Sequence, residues 1–160
     1  MAIVSALAGA SVAAQETPNS PQIEQLSPFF EIDDFVTNDE GTRAERQKLA
    51  LLVIDEVLKH GNERENGILE WIRPLNLPSG QVSVGVMWKE DERELRIRIF
   101  RGNAYPIVLV DPGVTGTPLQ HQLPVTERGL PRTPGNISEG ELPLANRVYF
   151  GILNHLLGKS

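Results

Sequence analysis

The sequence contains no cysteine, and it has no apolar run of the roughly 18 residues that a membrane-spanning helix needs. Without cysteine the chain can form no disulfide, no thiolate nucleophile and no cysteine-ligated zinc site. Aromatic residues are also few, at 6%. Stability must therefore come from buried aliphatic side chains, and a chain of 160 residues can bury enough of them without a metal ion or a cross-link.

Basic residues are in deficit, with 15 lysines and arginines against 21 acidic residues and a net charge of −6. Because phosphate binding requires a positive field, this balance disfavours a large nucleic-acid surface, although it allows a local basic patch. Neither the serine elbow GxSxG nor the phosphate loop GxxxxGK(S/T) occurs in the sequence. The sequence therefore indicates no cofactor.

The first 28 residues are predicted to form a flexible N-terminal arm or a signal-like segment. Residues 2–14 carry no charge and end in small residues, as the apolar part of a signal peptide does, but no lysine or arginine precedes them. The segment fits a signal with a misplaced start, an alanine-rich arm that packs on a partner, or a disordered tail. The compartment stays open: cytoplasmic, or exported if residues 1–14 are the remnant of a signal.

Residues 29–160 are predicted to form a single α+β domain that begins with a helix over Arg43–His60. Thr42 and Glu45 have the spacing of a capping box, in which each side chain accepts a hydrogen bond from a free amide of the first turn. Apolar residues then recur every three or four positions, which predicts one wide buried stripe.

Two later segments, residues 81–88 and 95–100, alternate between apolar and polar residues with the period of a β-strand. An antiparallel register that places Lys89 opposite Glu94 matches their charges and their apolar faces. The two segments are therefore predicted to form a hairpin.

Gly102 and Asn103 fit a two-residue type II′ turn. Such a turn starts a third strand with Arg96 opposite Leu109, and so completes a three-stranded antiparallel meander. Its apolar face, which needs helices to cover it, would consist of Val82, Val84, Val86, Trp88, Leu95, Ile97, Ile99, Val108 and Val110.

A long Pro/Gly-rich loop over residues 111–140 follows the meander and is predicted to be an extended arm or a disordered segment, because it shows no periodicity. A C-terminal helix is predicted over residues 141–157, with Ser138 and Glu141 as a second capping box. The predicted order is thus helix, three-stranded meander, long loop and C-terminal helix.

The polar residues give no strong indication of catalysis. His60 and His155 fall in the last turns of the two helices, where the helix dipole favours a cation, and His121 falls in the long loop. An acidic stretch, which does not fit a calcium-loop pattern, is predicted to be a solvated loop and contains Glu31, Asp33, Asp34, Asp39 and Glu40. We therefore predict no catalytic residue and no metal ligand.

The outer side of the meander is the strongest candidate for function. Arginine and aromatic residues are typical of interface hot spots, and apolar residues beside them would otherwise be exposed. The predicted protein-binding residues are Arg96, Arg98, Phe100, Tyr105, Ile107 and Leu109. With the 111–140 arm they indicate a non-catalytic protein-interaction or assembly subunit of a larger complex, which binds a protein partner or a second copy.

Three other functions fit the sequence less well. A small enzyme would need a site built from the acidic loop, His121 and the arginine face, and a ligand-binding module would need a pocket. Arginines beside aromatic residues on a sheet also occur in proteins that bind single-stranded nucleic acid, but the net charge of −6 opposes this function.

Deletion of residues 1–14 is expected to change the melting temperature by no more than about one or two degrees, because segments of this kind add little to a folded core. Thermal unfolding of the full chain and of the truncated chain, followed by circular dichroism, measures the difference. A loss of ten degrees would show instead that the segment is a structural element.

Overall fold

The computed structural model describes residues 35, 39–78, 80–100, 107–122 and 135–159. In this part of the chain two helices pack on one antiparallel sheet, so the protein is α+β. The helices are α1 (Arg43–His60) and α2 (Leu142–Leu156). The strands lie in the sheet in chain order: β1 (Asn62–Glu63), β2 (Ile68–Leu77), β3 (Gly80–Lys89), β4 (Glu94–Phe100), β5 (Ile107–Pro112), β6 (Gln120–Gln122) and β7 (Gly135–Asn136).

The first helix confirms the prediction in both its bounds and its cap. The Glu45 amide donates to the Thr42 hydroxyl at 3.0 Å, and the Thr42 amide donates to the Glu45 carboxylate at 2.7 Å. These reciprocal bonds satisfy two amides that the helix itself leaves without partners.

The sheet is larger than the predicted three-stranded meander, chiefly because β2 precedes it. β2 contains Pro74, a residue more typical of a turn than of a strand interior. β1 pairs with Leu69 and Glu70, and among the described residues no strand pairs with the rest of that edge of β2, where a proline is tolerated.

The pairing of β3 with β4 has the predicted register, with Lys89 opposite Glu94. The pairing of β4 with β5 differs by one residue, because Ile99 lies opposite Ile107. Residues 100–106, an odd number, lie between Ile99 and Ile107. When a two-residue turn joins two strands, the number of residues between any paired positions is even. The predicted turn residues, Gly102 and Asn103, lie outside the described residues.

A one-residue shift moves every side chain of a strand to the opposite face. Leu109 therefore lies in the core beneath the helices, and Ile107 packs against the same core. Both were predicted on the outer side. Val108 and Val110 were predicted on the inner side. They lie instead opposite Arg98 and Arg96, on the outer side of the sheet.

The stretch over residues 111–140 was predicted to be one long loop, and this is wrong for part of it. β6 and β7 add to the sheet beyond β5. The Leu119 amide donates to the Val110 carbonyl at 3.0 Å, and the Ile137 amide donates to the Leu119 carbonyl at 2.9 Å. Short strands of two or three residues give no periodicity in the sequence, so the pattern could not reveal them.

Inside the core one acidic residue, Asp111, is almost completely buried, at 1% exposure. Its Oδ1 atom accepts from the amide and the hydroxyl of Thr115, at 2.9 and 3.1 Å. Its Oδ2 atom accepts from the Gly116 amide at 3.0 Å and from the Tyr149 hydroxyl at 2.7 Å. The carboxylate therefore joins β5, the following loop and α2.

The first helix reaches the same loop through Arg46. The Arg46 Nε atom donates to the Gly116 carbonyl at 2.6 Å, and its Nη1 atom donates to the Glu40 carbonyl at 2.6 Å. Burial lowers the pKa of Arg46, and nearby Glu40 partly offsets this effect. Burial, with Asp111 beside it, raises the pKa of Tyr149 well above its ordinary value, so the phenol stays protonated and donates.

The second helix was predicted over residues 141–157, and the structure confirms a helix there over Leu142–Leu156. Its predicted capping box is not formed. The Ser138 hydroxyl donates to the Glu141 carboxylate at 2.7 Å, and the two residues flank a 3-10 turn (Glu139–Glu141) that leads into the helix.

The far side of α2 is covered by Phe35, whose side chain is fully buried. The Phe35 ring meets His155 edge-on, with 5.3 Å between ring centroids. The Phe35 carbonyl lies so close to Gly151 that a Cβ atom there would be 1.8 Å from the oxygen. Only glycine fits at this position.

The substitution Gly151→Ala is expected to lower the free energy of unfolding by about 1–3 kcal/mol, because the new methyl group forces Phe35 away from the helix. In an ordinary helix interior the same change raises stability by about 0.5–1 kcal/mol. Urea unfolding therefore gives opposite signs for the two cases, and a stabilised variant would contradict the packing described here.

Candidate functional site

The face of the sheet opposite the two helices, here called the outer face, is the candidate site. Three of the six predicted binding residues lie on it: Arg96, Arg98 and Phe100. Ile107 and Leu109 lie on the inner face, and Tyr105 lies outside the described residues. Residues that pair across neighbouring strands form rows, and the rows of the outer face contain six residues that were not predicted as binding residues: Glu70, Ile72, Gly85, Met87, Val108 and Val110.

The centre of the outer face is an ion pair between Glu70 and Arg98. The Arg98 Nη2 atom donates to Glu70 Oε2, while the Arg64 Nη2 atom lies 3.1 Å from Glu70 Oε1. The Glu70 side chain is only 2% exposed and that of Arg98 is 28% exposed. A carboxylate buried this deeply requires cationic partners, and so it fixes where they lie.

The space for this ion pair comes from Gly85, which lies between Ile72 and Arg98 in its row. A Cβ atom at Gly85 would be 3.2 Å from Glu70 Oε2, closer than side chains normally pack. The Arg98 guanidinium also lies over the Phe100 ring, 5.2 Å from its centroid. Arg98 is thus held by a carboxylate and by an aromatic ring.

Two buried atoms of this cluster have no hydrogen-bond partner within the described part of the chain: Glu70 Oε1 and Arg98 Nε. Arg64 approaches Glu70 Oε1 as an ion pair, but without the geometry of a hydrogen bond. The cluster is therefore ordered but not fully satisfied.

Towards the β3–β4 turn the outer face continues as a shallow cleft of about 170 Å³. Ile68 and Met87 line it together with paired charges. Arg96 contacts Glu94 at 2.7 Å, and Lys89 contacts Glu92 at 2.9 Å. These pairs are partly exposed and contribute little to stability.

The charge of the outer face differs from that of the whole chain. Among its charged residues, Lys89, Arg96 and Arg98 outnumber Glu70 and Glu94, although the chain carries a net charge of −6. Ile72 adds a large apolar side chain that is 55% exposed. The outer face thus combines positive charge with exposed apolar surface.

The histidines predicted in helix ends make ordinary contacts. His60 stacks on Trp71, with 6.3 Å between centroids, and lies 3.8 Å from Glu56. His155 packs on Phe35. Within the described residues no three histidine or acidic side chains are grouped to hold a metal ion.

Only some parts of the predicted enzyme site lie within the described residues. His121 lies in β6, opposite Leu109 of β5, whereas Arg96 and Arg98 lie on the outer face of β4. Glu40 accepts from Asn146 at 3.2 Å, and Asp39 accepts from the Gly41 amide at 2.8 Å. The other residues of the acidic stretch, Glu31, Asp33 and Asp34, lie outside the described residues.

A double-mutant cycle of Glu70→Gln and Arg98→Met is expected to give a coupling energy of about 1–3 kcal/mol, because the pair is largely desolvated. Urea unfolding of the four proteins measures it. The matched control is the cycle of Glu94→Gln and Arg96→Met, whose exposed pair is expected to couple by less than about 1 kcal/mol. Equal coupling in the two cycles would show that Glu70 does not organise the outer face.

Comparison with known proteins adds no assignment to this site. No protein-family model and no curated protein matches the sequence, and no solved structure matches the fold. None of the described helices has the length and apolar character needed to span a membrane. Any function must therefore be inferred from the contacts of this chain.

Proposed function

We propose that this chain is a non-catalytic protein-interaction or assembly subunit that binds its partner through the outer face. One observation carries the proposal: the arginines of this face are held in place although neither α1 nor α2 covers it. The two helices place their buried residues in the core on the other side of the sheet.

The fixed position of Arg98 makes it suited to recognition. Its guanidinium is already oriented by Glu70 and Phe100, so little side-chain entropy is lost when a partner binds. Arginine in such a setting is a frequent interface hot spot, and exposed Ile72 in the same row supplies apolar contact beside it.

The segment over residues 111–140 adjoins the same face. β6 pairs with β5, and Gln120 lies opposite Val110. Val108 and Val110 are buried, at 4% and 2% exposure, so the surface that we propose for a partner lies on β2, β3 and β4.

A protein is a better partner for this face than a nucleic acid. Arg96 is paired with Glu94, and Lys89 with Glu92, so much of the local positive charge is already neutralised. Phosphate binding depends on unneutralised charge, whereas protein interfaces combine paired charges with apolar surface.

A small enzyme remains the alternative function, with a site formed by the acidic loop, His121 and the arginine face. The two arginines lie on β4, whereas His121 lies on β6, two strands away. A shared site would therefore have to span β5.

The double variant Ile72→Glu and Arg96→Glu tests the proposal. Both side chains project from the outer face, so the chain is expected to stay folded while partner binding is lost through charge reversal and buried carboxylates. Tagged chains are compared in quantitative pull-downs from native lysate, and self-association is measured by sedimentation of the purified proteins.

The matched control is Leu58→Glu with Lys59→Glu, which makes the same kind of change on exposed residues of α1. Proteins that bind the wild type and this control, but not the outer-face variant, identify the partner. If the outer-face variant keeps every partner and its oligomeric state, the outer face is not the interface.

A further inference from the structure

A second surface lies on the helical layer, where α1 and α2 leave a groove of about 250 Å³ between them. Its apolar floor consists of Leu49, Leu52 and Phe150. Leu52 is 37% exposed. The volume falls below the roughly 300–1,000 Å³ of small-molecule sites, so the groove suits one or two side chains of a larger partner.

The rim of this groove carries two lysines, Lys48 from α1 and Lys159 after α2. Within the described part of the chain neither forms an ion pair. The one acidic residue at the rim, Glu45, uses its carboxylate to cap α1. The groove is therefore apolar at its floor and cationic at its rim.

Both lysines are attached to ordered backbone. Lys48 lies one helical turn before Leu52, on the same side of α1. Lys159 is held by the turn that ends α2, where its amide donates to the Asn154 carbonyl at 2.7 Å and the Gly158 amide donates to the His155 carbonyl at 3.1 Å. This pair of bonds is a Schellman motif, which fixes the path of the chain after a helix.

We infer that this groove binds an acidic amphipathic helix of a protein partner. The apolar side of such a helix would enter between Leu52 and Phe150, and its carboxylates would pair with Lys48 and Lys159. This surface is separate from the outer face, so the inference does not depend on the function proposed above.

The walls of the groove favour a helix over an extended peptide. Both walls are helices whose backbone groups are bonded internally, so they offer no open edge to which a strand could add. A helix satisfies its own backbone and needs only side-chain contacts. Helices that bind in grooves place their anchors at every third or fourth residue, so that they lie on one side.

The charge of the rim decides which helix binds. Carboxylates at the edges of its apolar side would neutralise the two lysines, whereas a basic helix would place like charges together. A second copy of this chain is the competing occupant, and it is distinguished by measurement of self-association.

The probe is a fluorescein-labelled helical peptide of about 15 residues, roughly four turns, with leucines on one side and glutamates beside them. Its partner probe has lysine in place of every glutamate. Fluorescence anisotropy titrations with the full chain are expected to show that the acidic peptide binds at least about tenfold more tightly than the basic one. Added salt is expected to reduce this difference.

Variants of the chain locate the binding. Lys48→Glu combined with Lys159→Glu is expected to reverse the preference between the two peptides, and Leu52→Ser is expected to weaken both. Lys59→Glu is the matched control, since Lys59 lies on α1 outside the groove and should change neither affinity.

Three results would overturn the inference. One is no binding of the acidic peptide up to about 1 mM, and another is equal affinity for the two peptides. The third is self-association of the chain that Leu52→Ser abolishes, because the groove would then be filled by a second copy.

Discussion

The buried carboxylate of Asp111 is the interaction on which the rest of the structure depends. A carboxylate removed from water must receive hydrogen bonds at both oxygens, and here every donor comes from a different part of the chain than β5. Tyr149 thereby fixes α2 over the sheet. The loop that supplies Thr115 and Gly116 in turn accepts from Arg46, which fixes α1. The groove between the helices follows from these constraints.

The same residue explains why the register of β5 could not be predicted from the apolar pattern. Residues 108–110 are apolar on both faces, so a shift by one residue changes nothing in their hydrophobic alternation. The shift does change the face on which Asp111 lies. The predicted register places Asp111 on the outer side, whereas the observed register places it in the core. Tyr149 falls among the apolar residues of the second predicted helix, and its role as a donor to Asp111 depends on a contact between residues 38 apart. By contrast, the pairing of β3 with β4 was predicted correctly, because Lys89 and Glu94 made the register asymmetric.

The candidate site shows the same limit. The alternation of residues in β4 predicted Arg96, Arg98 and Phe100 on one face, and the structure confirms that they share it. Glu70 lies in the stretch of residues 68–72, which is too short to indicate a helix or a strand, and its partner Arg98 lies 28 positions away. Gly85 gave a weak signal, a glycine within an alternating strand, which often marks a close approach of neighbouring groups. Only the structure shows that the approaching group is the Glu70 carboxylate.

The charge distribution also restricts how copies of this chain can associate. The outer face and the groove rim are both cationic in a chain of net charge −6, so the acidic excess lies elsewhere. A two-fold dimer through either surface would place each patch against itself, because an isologous interface uses the same residues on both sides. Like charges would then meet at the groove rim, where Lys48 and Lys159 have no acidic partner among the described residues, whereas the outer face already pairs Lys89 and Arg96 with glutamates. A separate partner with acidic groups, or a head-to-tail contact with an acidic part of another copy, avoids this repulsion. The apolar residues on each surface, Ile72 and Leu52, supply the attraction that charge pairing alone does not provide.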